Sequence, residues 1–245
     1  MRMSYEFFPI VYDELMDAEL YDEWADFARQ VLPQAKGALL DLASGTGEFA
    51  IRMHFLGYDV TGLDLSAEMV RVSQDKINAI NLPISFSKEN MAYFSSQKRF
   101  DVVTCFCDSL NYLETEEELM ATFQRVYEHL NQDGVFLFDV HSVYKVDVGF
   151  RDYSYGDSDS AVSVIWNSFV GELPHSVEHE LTFFIENADG TYTRKDELHK
   201  ERTYPINVYE NKLMATGFKK IEVYADFSLE KPHEKSERIF FLARK

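Results

Sequence analysis

Apolar residues recur along this chain in two rhythms, and each change of rhythm separates a predicted helix from a predicted strand. Across residues 5–32, Ile10, Val11, Leu15, Leu20, Trp24, Phe27, Ala28 and Val31 recur at helical spacing until Pro33 stops the run, which predicts an N-terminal helical cap over residues 1–36. Leu39-Leu40-Asp41-Leu42 then reads as a buried strand that runs into the glycine turn Ala43-Ser44-Gly45-Thr46-Gly47. The helix over 48–56 stops at Gly57. Further strands are predicted over 59–64, 84–86, 100–107 and 135–140. A helix capped by Ser66, with Met69, Val70 and Ile77 as its stripe, and another over 115–130, with Leu119, Phe123, Val126 and Leu130, lie among them. The near-continuous apolarity of 100–107 marks a strand buried on both faces. Asp133-Gly134 reads as the turn into the fifth strand. Five strands alternating with helices predict a doubly wound α/β fold around a parallel sheet.

The rhythm changes near Val148. A polar stretch of Gly, Asp and Ser leads to three alternating segments around 161–170, 177–186 and 191–204, with Asn187-Ala188-Asp189-Gly190 as a turn. This predicts a small antiparallel lid, residues 149–204, inserted into the parallel fold. A helix over 205–216 ending at Gly217, then strands over 220–227 and 238–242, return the chain to a sheet that becomes seven-stranded and mostly parallel. The main domain would therefore comprise 37–148 and 205–245.

Composition narrows the function. At 245 residues with 46% hydrophobic content, 20 Phe and 14 Tyr, the chain can bury a full core and is not disordered. No apolar run is long enough for a bilayer, and residues 1–6 lack a basic-then-apolar leader, so a soluble cytoplasmic protein is expected, a monomer or homodimer. Cys105 and Cys107, two apart on one strand, read as reduced packing residues. A formal net charge of -18 without any basic run argues against nucleic acid and for a neutral or cationic small-molecule partner.

Two cofactors compete for the glycine turn. Gly45-Thr46-Gly47-Glu48-Phe49-Ala50 fits the G-x-G-x-x-A fingerprint of NAD(P)-dependent oxidoreductases, and Asp64 follows at the spacing of an acid that binds ribose hydroxyls. Asp41 separates the readings. A carboxylate at the strand end opposes a pyrophosphate and favours S-adenosylmethionine, which carries a sulfonium and an ammonium group.

At these residues the chain resembles the class I S-adenosylmethionine-dependent methyltransferases, whose first motif is a strand ending in D-x-G-x-G-x-G. Asp41, Gly45 and Gly47 match it, with Ala43 in place of the first glycine, and the likeness runs over about residues 38–140. The resemblance implies that Asp64 holds the ribose hydroxyls, Leu65 packs on the adenine, and Asn90 with Met91 occupies the adenine-binding third motif. It places Phe106, Cys107 and Asp108 at the methionine end. The inserted sheet is similar to the lid of small-molecule members such as glycine N-methyltransferases and sugar amine dimethyltransferases. Tyr5, Tyr12 and Trp24 resemble the N-terminal helices that those enzymes fold over the cofactor.

Methyl transfer is an in-line displacement in which alignment and exclusion of water supply most of the acceleration. If an amine or hydroxyl is the acceptor, its proton must leave. His141, ending the fifth strand at the edge where such sheets bind ligands, is the first candidate base, with the ordinary histidine pKa near ~6.5; Asp108 is the alternative, or binds the methionine ammonium. His179 shares a strand face with Val177, Leu181 and Phe183, as a lid-core residue or a substrate contact. Arg202 and Tyr204 would hold an anionic group on the acceptor, and Tyr5 and Tyr12 would reach the ligand from the cap. No metal site is expected, because two thiols one residue apart fall short of zinc spacing. A protein that binds S-adenosylmethionine without catalysis stands as a further alternative.

Overall fold

In the computed structural model, residues 18–32, 36–158 and 162–245 are described. The roles expected of Tyr5 and Tyr12 lie outside the described residues.

The apolar stripe of the cap folds as α1 (Ala18–Val31), which buries Tyr21, Trp24, Ala25, Phe27 and Ala28. The first unit then runs β1 (Ala38–Leu42), α2 (Glu48–Phe55), β2 (Asp59–Asp64), α3 (Ala67–Ala79) and β3 (Ser85–Lys88). The second runs β4 (Phe100–Cys105), a short 3-10 turn at Ser109–Tyr112, α4 (Glu116–His129) and β5 (Leu130–His141). After the lid come α5 (Ile206–Thr216), β10 (Lys220–Ala225) and β11 (Arg238–Arg244). The main sheet has the order β10-β11-β5-β4-β1-β2-β3, parallel except that β11 runs antiparallel to both of its neighbours. Both of its faces are covered: Leu40, Leu42, Val103, Phe136 and Phe138 pack into one apolar layer, Leu39, Val102, Leu137, Phe240 and Leu242 into the other. That double burial explains why the central strands read as apolar runs.

Strand order reverses between β1 and β4, so the carboxyl ends of these two strands diverge into a crevice, the ligand position of doubly wound sheets. Asp41 and Thr104 are register partners there.

The lid differs from the three strands predicted. It is a four-stranded antiparallel sheet of β6 (Ser154–Asp157), β7 (Val162–Val170), β8 (Ser176–Glu186) and β9 (Tyr192–Arg202). The extra strand is β6, an exposed edge strand of sequence SYGD. It has no buried face, and so no apolar alternation to announce it. Two other boundaries also moved. β5 begins at Leu130, directly after α4, and Asp133-Gly134 is a kink inside it, with Asp133 at φ 63. β10 ends at Ala225 because Asp226 and Phe227 both take positive φ, which no strand continues through.

Candidate active site

The turn after β1 bends through positive φ at Ala43, Gly45 and Gly47. A Cβ on Gly47 would lie 2.8 Å from the Phe86 ring, whereas a Cβ on Gly45 would meet nothing within 4 Å. One glycine therefore fits the helix against its neighbour. The other leaves open space over the backbone, which is what a closely approaching cofactor requires. Asp64 shapes the turn: its Oδ2 accepts from Gly45 N at 2.9 Å and its Oδ1 from Ser66 N at 2.8 Å. Beside it, Leu65 is exposed. Asn90 Oδ1 accepts from Ala92 N at 2.8 Å, which orients the loop after β3, and Met91 is half-buried there.

Asp41 lies beneath the turn, 3% exposed, with Oδ1 accepting from Thr104 Oγ1 at 2.7 Å. Burial pushes its carboxyl up to about 7, against the lowering effect of the Thr104 bond. This corrects the sequence reading of a standing anion: without a cation beside it, the group is part-protonated at neutral pH.

After β4 the chain turns through two consecutive non-glycine residues at positive φ, Cys107 (58) and Asp108 (49). Such a conformation persists only where its surroundings hold it, and here they do. Asp108 N donates to Asp139 Oδ1 at 3.2 Å, and Arg238 Nη1 bonds Asp108 Oδ1 at 3.0 Å and also Asp139 Oδ2. Trp24 Nε1 donates to Asp139 Oδ2 at 3.1 Å, and its ring lies under the guanidinium of Arg238 at 5.1 Å. Phe106 is buried against Trp24, Phe49 and Phe240. Both cysteines are free thiols, Cys105 buried. Asp139 and Arg238 were missed in the sequence. The available signal was an acid inside the apolar run Val135–Val140, since a charge in a doubly buried strand needs a partner.

The lid contributes the opposing wall. On its inner face Ser168, His179 and Trp166 meet, and across from them β9 turns Glu197, His199 and Glu201 inward, all buried. Asn111 ties lid to sheet: its Oδ1 accepts from His141 N at 2.9 Å and its Nδ2 donates to Arg202 O at 2.8 Å. As a result His141 Nε2 stands 3.5 Å from Asp108 Oδ2 and 3.7 Å from Glu201 Oε2, and His179 Nε2 stands 3.7 Å from Glu201 Oε1. Asp108, His141 and Glu201 bring ligand-type atoms to within 4.8 Å of one another, a grouping from three distant segments that cysteine spacing could not foresee.

Electrostatics separate these groups. Burial, only partly offset by Asp108, holds His141 down to about 4, and burial holds His179 down to about 3. The ordinary histidine pKa expected for His141 is therefore corrected: the imidazole is neutral across the physiological range. Burial raises Glu201 well above the usual carboxylate range and Asp139 to about 6. Asp108 is pulled below that range, because His141 and Arg238 outweigh its burial. His179 is not in the purely apolar setting expected: Trp166 and Ser168 bond its Nδ1. Glu201 is the principal residue the sequence reading missed, although Glu197, His199 and Glu201 at a spacing of two place three ionisable groups on one strand face.

Arg202 lies 4.6 Å over the Tyr204 ring and lines an open cleft of about 640 Å³ with Glu114, Glu116, Glu117, Met120 and Lys212. The three acids on that wall oppose the anionic group expected there. No helix among the described residues is long and apolar enough to cross a membrane.

Comparison with known proteins fits this geometry. Residues 39–134 match the methyltransferase domain family. The chain is 47% identical to a candidate methyltransferase of Geobacillus sp. (strain WCH70), over 99% of this chain and 100% of that one. It is 26% identical to the dTDP-3-amino-3,6-dideoxy-alpha-D-glucopyranose N,N-dimethyltransferase of Streptomyces fradiae, over 82% of each. The crystal structure of an S-adenosylmethionine-dependent methyltransferase from Clostridium acetobutylicum superposes with a TM-score of 0.86 at 27% identity, covering 98% of both chains. The open cradle over Gly45, the buried Asp41 near the end of β1, the half-buried Asp64 ending β2 and these relatives agree, and the chain belongs to the S-adenosylmethionine-dependent methyltransferases.

Proposed function

We propose that this methyltransferase acts on a nitrogen or oxygen atom of a small-molecule acceptor seated between the carboxyl edge of the main sheet and the lid. The observation that carries the reading is the convergence of Asp108, His141, His179 and Glu201 where that edge meets the inner face of the lid. Relatives that methylate an amino sugar nitrogen support the acceptor class.

S-adenosylmethionine, when bound, supplies a methyl carbon already activated by its sulfonium. In this reading Asp64 takes the ribose hydroxyls on carboxylate lone pairs left over from the turn, Gly45 and Gly47 let the backbone approach, and Asp41 faces the cationic end. Ala43, Leu65, Asn90, Met91, Phe106 and Cys107 complete the walls. The methyl group that the cofactor would supply goes to the acceptor's lone pair, and the acceptor's proton would pass to His141 Nε2, beside Asp108. A neutral imidazole can take that proton, and the adjacent Asp108 carboxylate stabilises the imidazolium formed. Arg202 Nε and Tyr204 OH, both buried without a partner, are available to polar groups on the acceptor.

Thermal shift tests the cofactor half of this reading. S-adenosylhomocysteine at about a hundred times its dissociation constant should stabilise the protein by roughly 2.7 kcal/mol, and NAD should not. Release of S-adenosylhomocysteine in a panel of amines, sugars and carboxylates tests the acceptor half. A panel silent throughout would leave a protein that binds the cofactor without using it.

A further inference from the structure

The tautomer of His179 can be read from its neighbours. Its Nδ1 lies 3.1 Å from Trp166 Nε1 and 2.8 Å from Ser168 Oγ. An indole nitrogen only donates, so Nδ1 must accept, and the single proton of the neutral ring sits on Nε2. His179 is 2% exposed, and its Nε2 has no hydrogen-bond partner. Facing it, Glu201 is 6% exposed; the Tyr112 hydroxyl bonds this carboxylate, yet Oε2 is left without a partner. Across the lid boundary His141 Nε2 stands 3.7 Å from that Oε2, and Asp108 Oδ2 stands 3.5 Å from His141. His179 Nε2 stands 3.7 Å from the other oxygen of Glu201, Oε1, and all of these separations exceed a direct hydrogen bond by about half an ångström, so the groups lie close without satisfying one another.

We propose that His179, Glu201 and His141 form a subsite for one hydroxyl group of the methyl acceptor, which makes the substrate a hydroxylated molecule such as an amino alcohol. The proposal rests on the small-molecule methyltransferase reading above. Its basis is hydrogen-bond stoichiometry. The occupant must accept from His179 Nε2–H and donate to Glu201 Oε2. An ammonium donates but cannot accept. A carboxylate accepts but cannot donate, and it would face the charge of Asp108. A hydroxyl does both. The choice survives a proton on Glu201, because the hydroxyl then accepts from Glu201 and His179 and donates to His141. A resident water could make the same bonds, and the experiment separates the two.

The full chain, saturated with S-adenosylhomocysteine, is titrated with trans-2-aminocyclohexanol and, separately, with cyclohexylamine, two amines of one ring size that differ by a hydroxyl. Imidazole ¹⁵N spectra and calorimetry are the readouts. The free protein should show His179 as the Nε2–H tautomer. The amino alcohol should move that signal and bind about tenfold more tightly than the plain amine, as one satisfied buried hydrogen bond requires. His179→Phe should remove the preference. Trp166→Phe, which keeps an aromatic ring but frees the tautomer, should give a mixed Nδ1–H and Nε2–H signal and narrow the preference. Equal affinities, binding that leaves the His179 signal in place, an Nδ1–H tautomer in the native protein, or no binding of either probe, as for a slot that holds water only, would each overturn the proposal. Saturation by S-adenosylhomocysteine is measured first in the same samples. Failure of the cofactor to bind is thereby distinguished from failure of the hydroxyl subsite.

Discussion

Asp41 shows how one residue can couple cofactor binding to pH. Its carboxyl titrates near 7 in the folded protein, against about 3.9 for an unfolded aspartate. Between those values the folded state holds a proton that the unfolded state has lost, so stability falls as pH rises from about 4 to 7 and levels off above. Asp139, raised to about 6, contributes in the same direction. Asp41→Asn should therefore flatten the melting temperature against pH and stabilise the cofactor-free protein at pH 8 by about 1–3 kcal/mol. A cation over Asp41 favours the carboxylate, so binding of S-adenosylmethionine should release protons at pH 6.5, measurable by calorimetry in buffers of different ionisation enthalpy, and Asn at this position should abolish the release. His141 is expected to behave differently. With its imidazole neutral above about 4, turnover should not fall through the ordinary histidine range between pH 7 and 5.5. His141→Ala should slow turnover about 10²-fold or more while S-adenosylhomocysteine affinity stays near wild type, the magnitude usual for a lost general base.

Elements that meet at the site are joined by one cation. Arg238 on β11 holds Asp139 of β5 and Asp108 of the loop after β4, while Trp24 of α1 caps the same carboxylate. Arg238→Met would strand the buried carboxylate of Asp139 and the half-buried one of Asp108, and should cost about 3–5 kcal/mol, read by urea denaturation. Trp24→Phe, which removes only one donor to Asp139, should cost about 1–3 kcal/mol. Such links explain which parts of the molecule were legible in the sequence. β1, its glycine turn and Asp64 were readable because their signals are local: an apolar run, two glycines and an acid at fixed spacing. The parallel core followed from the alternation of strand and helix patterns. β6 was invisible because its edge strand buries nothing, and Glu201 because a buried acid becomes meaningful only when the fold sets it opposite His141 and His179. Asp139 lay in plain view inside an apolar strand, but its partner Arg238 is 99 residues away.

Charge acts at the scale of the whole molecule. The chain carries 42 acidic against 24 basic side chains, a formal net charge of -18. Ion pairs such as Arg71 with Glu68 and Asp75 consume surface cations on isolated helical contacts, each of which stabilises little. The unpaired excess of carboxylates repels itself more strongly in the folded protein than in the expanded chain, so the field opposes folding and is weakened by salt. Screening lengths shrink from about 30 Å at 0.01 M to about 8 Å at 0.15 M ionic strength, which removes most repulsion across the surface but little of that between the buried acids around Arg238. Raising sodium chloride over that interval at pH 8 should accordingly increase the melting temperature by several degrees. Asp41→Asn should keep this salt response, because its charge is buried. The same field should draw cationic ligands toward the crevice and repel anionic ones, so the association rate of S-adenosylmethionine should fall as salt rises, while that of a neutral nucleoside such as adenosine stays constant. A melting temperature that drops over the same salt interval would show that surface ion pairs, not net repulsion, dominate the electrostatics of this fold.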